Sequence, residues 1–469
     1  MKTKNERERI TFVYFAALHL MKDLSYSYKA ILGIAFPLMV SNFFFTLIAV
    51  TDIGFMREIG VTEQAAIGYI SLLYLFFFMA GFSYTRGAQI LIAQKDGKNK
   101  HKAIGLILDN MLVVLMAVAT FLWLVLFFFG RSILESILVD PAVIEASFDY
   151  LNIRKWGFFA SFFGSALIAY YSGIGRTKIL AVAIVTMSAS NIFLNWVLIF
   201  GHFGFPALGI KGAAYASNIA EFLSMGIMLA GVSVLNLRKK NHLFFFKTIK
   251  KDIIYKITNL SFPLVVQTLI GLAAWVIFFT LIEKLGKEEL AISNNVKQIY
   301  TLLGIPTYAL ASSTNTVIGN LVGQGKINEI IPTLKRIILI SSICILLFTL
   351  PTFVYPKFFL NLISEKGLVS HSISPLYVAL VALQLYGFST ILFNTIASIG
   401  ASLHSLIVET ITIVLYLVFI YIIFYLRDST LSEAWTTEWF YWGSLAVLSL
   451  FYLRFYNWKK SLNNQNPRP

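Results

Sequence analysis

Uncharged residues run unbroken from Ala30 to Thr51, and similar runs recur down the chain. They lie near 30–55, 64–86, 106–130, 156–175, 179–201, 212–235, 257–282, 290–312, 337–356, 376–400, 405–426 and 439–457. Each is close to the ~20 residues that cross a hydrocarbon core. Lipid offers backbone N–H and C=O groups no partner, so every run is predicted to be a helix. The expected fold is an all-α integral membrane protein with twelve transmembrane helices. Pro37 removes a donor from the first span and crowds the carbonyl of Gly33, so a kink and a hinge are expected in its inner half.

Charge orients these spans. With the N-terminus inside, 25 of the 38 Lys and Arg residues fall in the inner stretches and 10 in the outer loops. The excess of basic residues on one side places both termini in the cytoplasm of a multi-pass inner-membrane protein. Residues 1–29 read as a cytoplasmic segment carrying an interfacial amphipathic helix, and 458–469 as a cytoplasmic tail. At 58% hydrophobic and 13% charged, against a usual share of about 25% charged, the chain is no soluble globule. The net charge of +15 is spread over short connecting stretches, which argues against a nucleic-acid partner. The single cysteine, Cys344, leaves no intramolecular disulfide and no cysteine metal cluster.

The longest basic stretch, LRKKNHLFFFKTIKKD at 237–252, divides the chain into residues 30–236 and 257–457, with 237–256 as a linker. The halves resemble each other. ILGIAFPL at 31–38 matches ITNLSFPL at 257–264, an offset of 226 that also pairs Gly60 with Gly286 and Glu63 with Glu289. IAQKDGK at 92–98 pairs with VGQGKIN at 322–328 at an offset near 230. An even number of spans per half means both copies enter from the same side, giving two six-helix lobes related by a parallel repeat.

Polar residues inside the spans carry the candidate chemistry. A carboxylate in a bilayer costs about 2.5–3.5 kcal/mol on insertion scales, so Asp52 needs a use. Asn195 and Ser217 sit at a similar depth, and Asn191 and Glu221 lie one turn deeper, each at i,i+4 on the same face. Such oxygens suit a proton or a hard cation such as Na⁺ at Asp52, Asn191, Asn195 and Ser217. At offset 226 Asp52 falls on Phe278, so the acid is not copied in the second half. Lys297 and Glu409 enter from opposite faces and form a candidate C-lobe polar pair. Asp109 reads as a charge at the inner end of its span. The chain carries no nucleotide-binding, zinc-protease or hydrolase motif, which points to a gradient-driven carrier rather than an enzyme.

NIFLNWVLIFGHFGFPALGIKGAAYAS at 191–217 and PLMVSNFFFTLIAVTDIGFMREIG at 37–60 resemble the multidrug and toxic compound extrusion (MATE) family, as do GIGRTK at 173–178 and LVGQGK at 321–326. The resemblance covers about residues 30 to 455 and implies export of amphipathic, often cationic, small molecules in exchange for H⁺ or Na⁺. It also implies that the protein is a secondary transporter with no cofactor beyond the coupling ion, acting in the bilayer as a monomer. Asp52 falls on the family's span 1 aspartate, Asn191 on its span 5 asparagine, and Ser217 on a span 6 threonine. Asn195 stands where many bacterial members have a second aspartate, which favours H⁺ over Na⁺ and leaves Glu221 as a substitute carboxylate. The alternative within the superfamily is a lipid-linked oligosaccharide flippase, which would need several basic groups in its cavity.

Overall fold

The computed structural model describes residues 26–465 apart from 247–248, 364–366 and 428. The interfacial helix expected before Ser25 therefore lies outside the described residues. The first lobe contains α1 (Tyr28–Ile59), α2 (Val61–Gly97), α3 (His101–Ile137), α4 (Pro141–Arg154), α5 (Gly157–Gly173), α6 (Lys178–Phe200) and α7 (Ile210–Val234). A short α8 (Leu237–Asn241) begins the linker. The second lobe contains α9 (Lys251–Leu285), α10 (Lys287–Gln324), α11 (Ile330–Val354), α12 (Pro356–Asn361), α13 (Val369–Ser398), α14 (Ser402–Tyr425) and α15 (Leu431–Phe455), followed by α16 (Trp458–Gln465).

Nine of these helices are long and apolar enough to cross a membrane. The α4–α5 pair, α10 and α15 complete the twelve. Each departs from a plain apolar run for a physical reason. The fourth span extends as α4 beyond the turn at Lys155 and Trp156, so its apolar stretch is short. α10 buries Thr314, Asn315, Thr316 and Asn320 against other helices instead of lipid. At 37 and 38 residues, α2 and α10 run well past the apolar stretches at 64–86 and 290–312. Hydropathy reports lipid contact, whereas these helices continue through protein.

The repeat is built into the backbone. α1 and α9 end at Gly60 and Gly286, and in both turns a glutamate (Glu63, Glu289) folds back into the space a Cβ would need. The C-lobe counterpart of Asp52, Phe278, is 1% exposed and packs edge-on against Trp435. α1 continues as one helix through Pro37, whose carbonyl accepts the Ser41 hydroxyl at 2.8 Å.

Hydrogen bonds in the half that carries the linker join the two lobes. Gln89 Nε2 donates to Thr316 Oγ1 at 3.0 Å, Asn320 Nδ2 to Asp96 Oδ2 at 3.1 Å, and Ser83 Oγ to Thr268 Oγ1 at 2.8 Å. The seal is pseudo-symmetric. A Cβ at Gly97 would strike the carbonyl of Asn320, and one at Gly323 the carbonyl of Gln94. These glycines are 226 apart, which corrects the offset near 230 read from the sequence at this point. Gly323→Val should therefore open the linker-side seal. In a Cys344→Ser background, a cysteine at Ser398 should react severalfold faster with a thiol reagent than in the Gly323 parent. An unchanged rate would mean that the lobes separate without this contact.

Asp109 is no solvated terminus. It is 5% exposed, and its carboxylate accepts the N–H groups of Phe244, Phe245 and Phe246 at 2.8, 3.0 and 3.1 Å. Phe244 and Phe246 take left-handed torsions, which turns successive N–H groups into an anion nest. The carboxylate thus fixes the linker to the end of α3.

Candidate functional site

Four of the residues selected from the sequence meet in the half of the first lobe away from the linker. α1 brings Asp52, α6 brings Asn191 and Asn195, and α7 brings Ser217. The spacing of four residues puts both asparagines on one face of α6. Asn195 Nδ2 donates to Asp52 Oδ1 at 2.6 Å and to Asn191 Oδ1 at 3.2 Å. Asn191 Nδ2 in turn donates to Ser217 Oγ at 3.3 Å. The chain Asp52–Asn195–Asn191–Ser217 ties three helices together through side chains alone. Asn191 and Asn195 are 1% and 0% exposed, and Asn195 Oδ1 is buried without a partner.

Glu221 is not part of that chain. It forms an ion pair with Arg154, whose Nη1 donates to Oε2 at 3.0 Å while Nη2 donates to Oε1. Ser161 Oγ adds a third bond to Oε2 at 2.8 Å, and the guanidinium lies 4.0 Å from the centre of the Tyr74 ring. Asn218 Oδ1 accepts from Arg154 Nη1 at 2.7 Å. The sequence reading placed Arg154 in an outer loop because the apolar run begins just after it. It is in fact the last residue of α4, with a side chain 9% exposed. The available signal was Glu221 itself, since an acid in an apolar helix calls for a cation at similar depth.

This pairing assigns the charges. The carboxylate of Glu221 is committed to a guanidinium, while that of Asp52 meets only a neutral amide. Of the two carboxylates in this half of the lobe, Asp52 is thus the one that no cation compensates at hydrogen-bond distance. The asparagine at 195 turns its N–H₂ group toward Asp52 and leaves its own Oδ1 without a partner.

Lys297 and Glu409 are not brought together. Lys297 Nζ lies over the rings of Phe279 and Trp275, 4.7 and 5.5 Å from their centres. Glu409 Oε1 accepts the hydroxyl of Tyr441. Two aromatic helices thus hold the polar groups apart, and export should survive Lys297→Ala with less than a twofold change in dye efflux. Glu438, placed just outside the last span by the sequence, is 1% exposed inside α15 and accepts Trp442 Nε1 at 3.0 Å. Its flanking aromatics, TEWFYW, were the signal.

The comparisons with known proteins agree with this architecture. The profile of the family described as MatE matches residues 37–197 and again residues 263–422, two copies whose starts reproduce the repeat. The chain is 25% identical over 311 residues to the probable multidrug resistance protein NorM of Rhizobium meliloti, covering 64% of each. It therefore spans just under two thirds of that relative. It is 24% identical over 395 residues to the probable multidrug resistance protein YoeA of Bacillus subtilis, covering 80% of this chain and 82% of that one. In fold it is similar to a MOP superfamily transporter from Pyrococcus furiosus, with a TM-score of 0.84 at 18% identity over 95% of this chain and 98% of that one. A structure described as the outward-facing conformation of a multidrug resistance MATE family transporter aligns with a TM-score of 0.86 at 18% identity, over 95% of this chain and 98% of that one.

Proposed function

The chain belongs to the MatE family, whose members are transporters and not enzymes, and on that premise we propose that it is a proton-coupled antiporter exporting amphipathic, often cationic compounds. Asp52 carries the reading, as the carboxylate on the side away from the linker that is held by a side-chain amide while its neighbour Glu221 is paired with Arg154. With the linker and termini in the cytoplasm, Asp52 faces the outer half, where it loads a proton. Neutralising it removes the charge that Asn195 donates to, and so weakens a bond from α1 to α6. Motion of α1 about Pro37 then passes the proton inward while substrate leaves. A proton can drive the switch only by its different affinity for the two states. The flippase alternative expects a cluster of basic groups in the cavity, and Arg86 is the sole basic residue among those lining the C-lobe cavity.

Dye efflux from proteoliposomes tests the reading. An imposed proton gradient should drive counterflow in the absence of Na⁺, and a Na⁺ gradient alone should drive none. Efflux that follows Na⁺ and ignores pH would replace the proton by Na⁺. Transfer of a lipid-linked sugar without dye transport would move the protein to the flippase reading.

A further inference from the structure

Apart from the Asp52 site, α2, α9, α10, α13, α14 and α15 enclose a cavity of about 190 Å³. Two opposite charges line it, Arg86 from the first lobe and Glu409 from the second. Neither forms an ion pair with the other or with any other described residue. The Arg86 guanidinium donates to Asn394 Oδ1, and Glu409 accepts from Tyr441 at Oε1. Glu409 is 4% exposed, and its Oε2 has no hydrogen-bond partner. A buried carboxylate oxygen left without a donor is costly. Tyr308, Tyr386 and Trp442 add aromatic wall to the cavity.

We propose that this cavity is a recognition pocket for zwitterionic groups, seating a protonated amine on Glu409 and a carboxylate on Arg86. An ammonium would satisfy Oε2 and lie against aromatic faces. A carboxylate would match the fork of the guanidinium. A simple cation leaves Arg86 uncompensated beside a second positive charge, and a simple anion does the same to Glu409. Only a ligand bearing both charges settles both walls. An apolar cavity of ~150 Å³ holds benzene, so this one takes the charged head of a ligand while the remainder extends beyond it. Phe82 and Arg86 belong to α2 and the rest of the lining to the second lobe, so the pocket is whole only while the linker-side seal is closed. The inference rests on the export reading for its meaning, because it names a substrate class that the closed state would hold.

Titration calorimetry of the purified full-length protein, with no gradient present, tests it with three probes at neutral pH. L-Phenylalanine carries both charges, phenethylamine the amine alone, and 3-phenylpropionate the carboxylate alone. Phenylalanine should bind about tenfold or more tighter than either, as expected for one charged hydrogen-bonded contact. Glu409→Gln should reduce its affinity to that of 3-phenylpropionate, and Arg86→Gln to that of phenethylamine. The comparison in the unmutated protein stands even where a variant fails to fold. Equal affinity for phenethylamine and phenylalanine would overturn the proposal in favour of an organic-cation site. No binding of phenylalanine by protein that still exports dye would overturn it too, and would leave the export reading intact.

Discussion

Asp52→Asn should abolish gradient-driven export while leaving a folded protein. Asparagine keeps the size of the side chain and an oxygen that can still accept from Asn195 Nδ2, which lies 2.6 Å from the aspartate oxygen. The stability change should stay within about 1 kcal/mol, the usual net worth of one hydrogen bond. What disappears is the capacity to gain and lose a proton. A potential worth about 2.3 kcal/mol per charge per 100 mV then has no group to act through. Efflux should fall to the level of empty vesicles at normal membrane abundance, with dye binding retained. Full export by this variant would sink the assignment and transfer the coupling to Glu409 or Glu438 of the second lobe.

Arg154→Met should be the most destabilising single change in the first lobe. Among the described residues it leaves the carboxylate of Glu221, 18% exposed, with Ser161 and Tyr74 as donors. Removing one partner of a buried pair costs about 3–5 kcal/mol, because the other charge stays buried. Glu221→Gln should cost somewhat less, since Asn218 Oδ1 still receives a bond from Arg154 at 2.7 Å. The double change Arg154→Met with Glu221→Leu should recover most of the loss, as apolar replacements of buried pairs often do. Thermal unfolding in detergent reads the three variants as a double-mutant cycle. Additive effects would show that the two residues act separately, and Glu221 would return as a second coupling carboxylate.

Much of this is legible in the amino-acid sequence. The chain Asp52, Asn195, Asn191 and Ser217 stood out because each polar group interrupts an apolar run, and the helical repeat fixed their common face. The lobes were legible because the same Phe-Pro and Gly-Glu positions recur 226 residues apart. Charges that sit just outside an apolar run were misread. Arg154 was counted as a loop residue and Glu438 as lying beyond a span, yet both are buried, because protein rather than lipid surrounds them. The pairing of Lys297 with Glu409 failed for a related reason. Depth in the membrane is readable from sequence, whereas the direction a side chain faces depends on neighbours far along the chain, here Phe279 and Tyr441.

Proton release on substrate binding tests the central claim most directly. Purified protein in weakly buffered detergent solution is mixed with a cationic dye while the pH is recorded. The unmutated protein should release protons nearly in step with dye bound, and Asp52→Asn should bind dye and release none. Dye binding without proton release by the unmutated protein, or equal release by Asp52→Asn, would contradict the account.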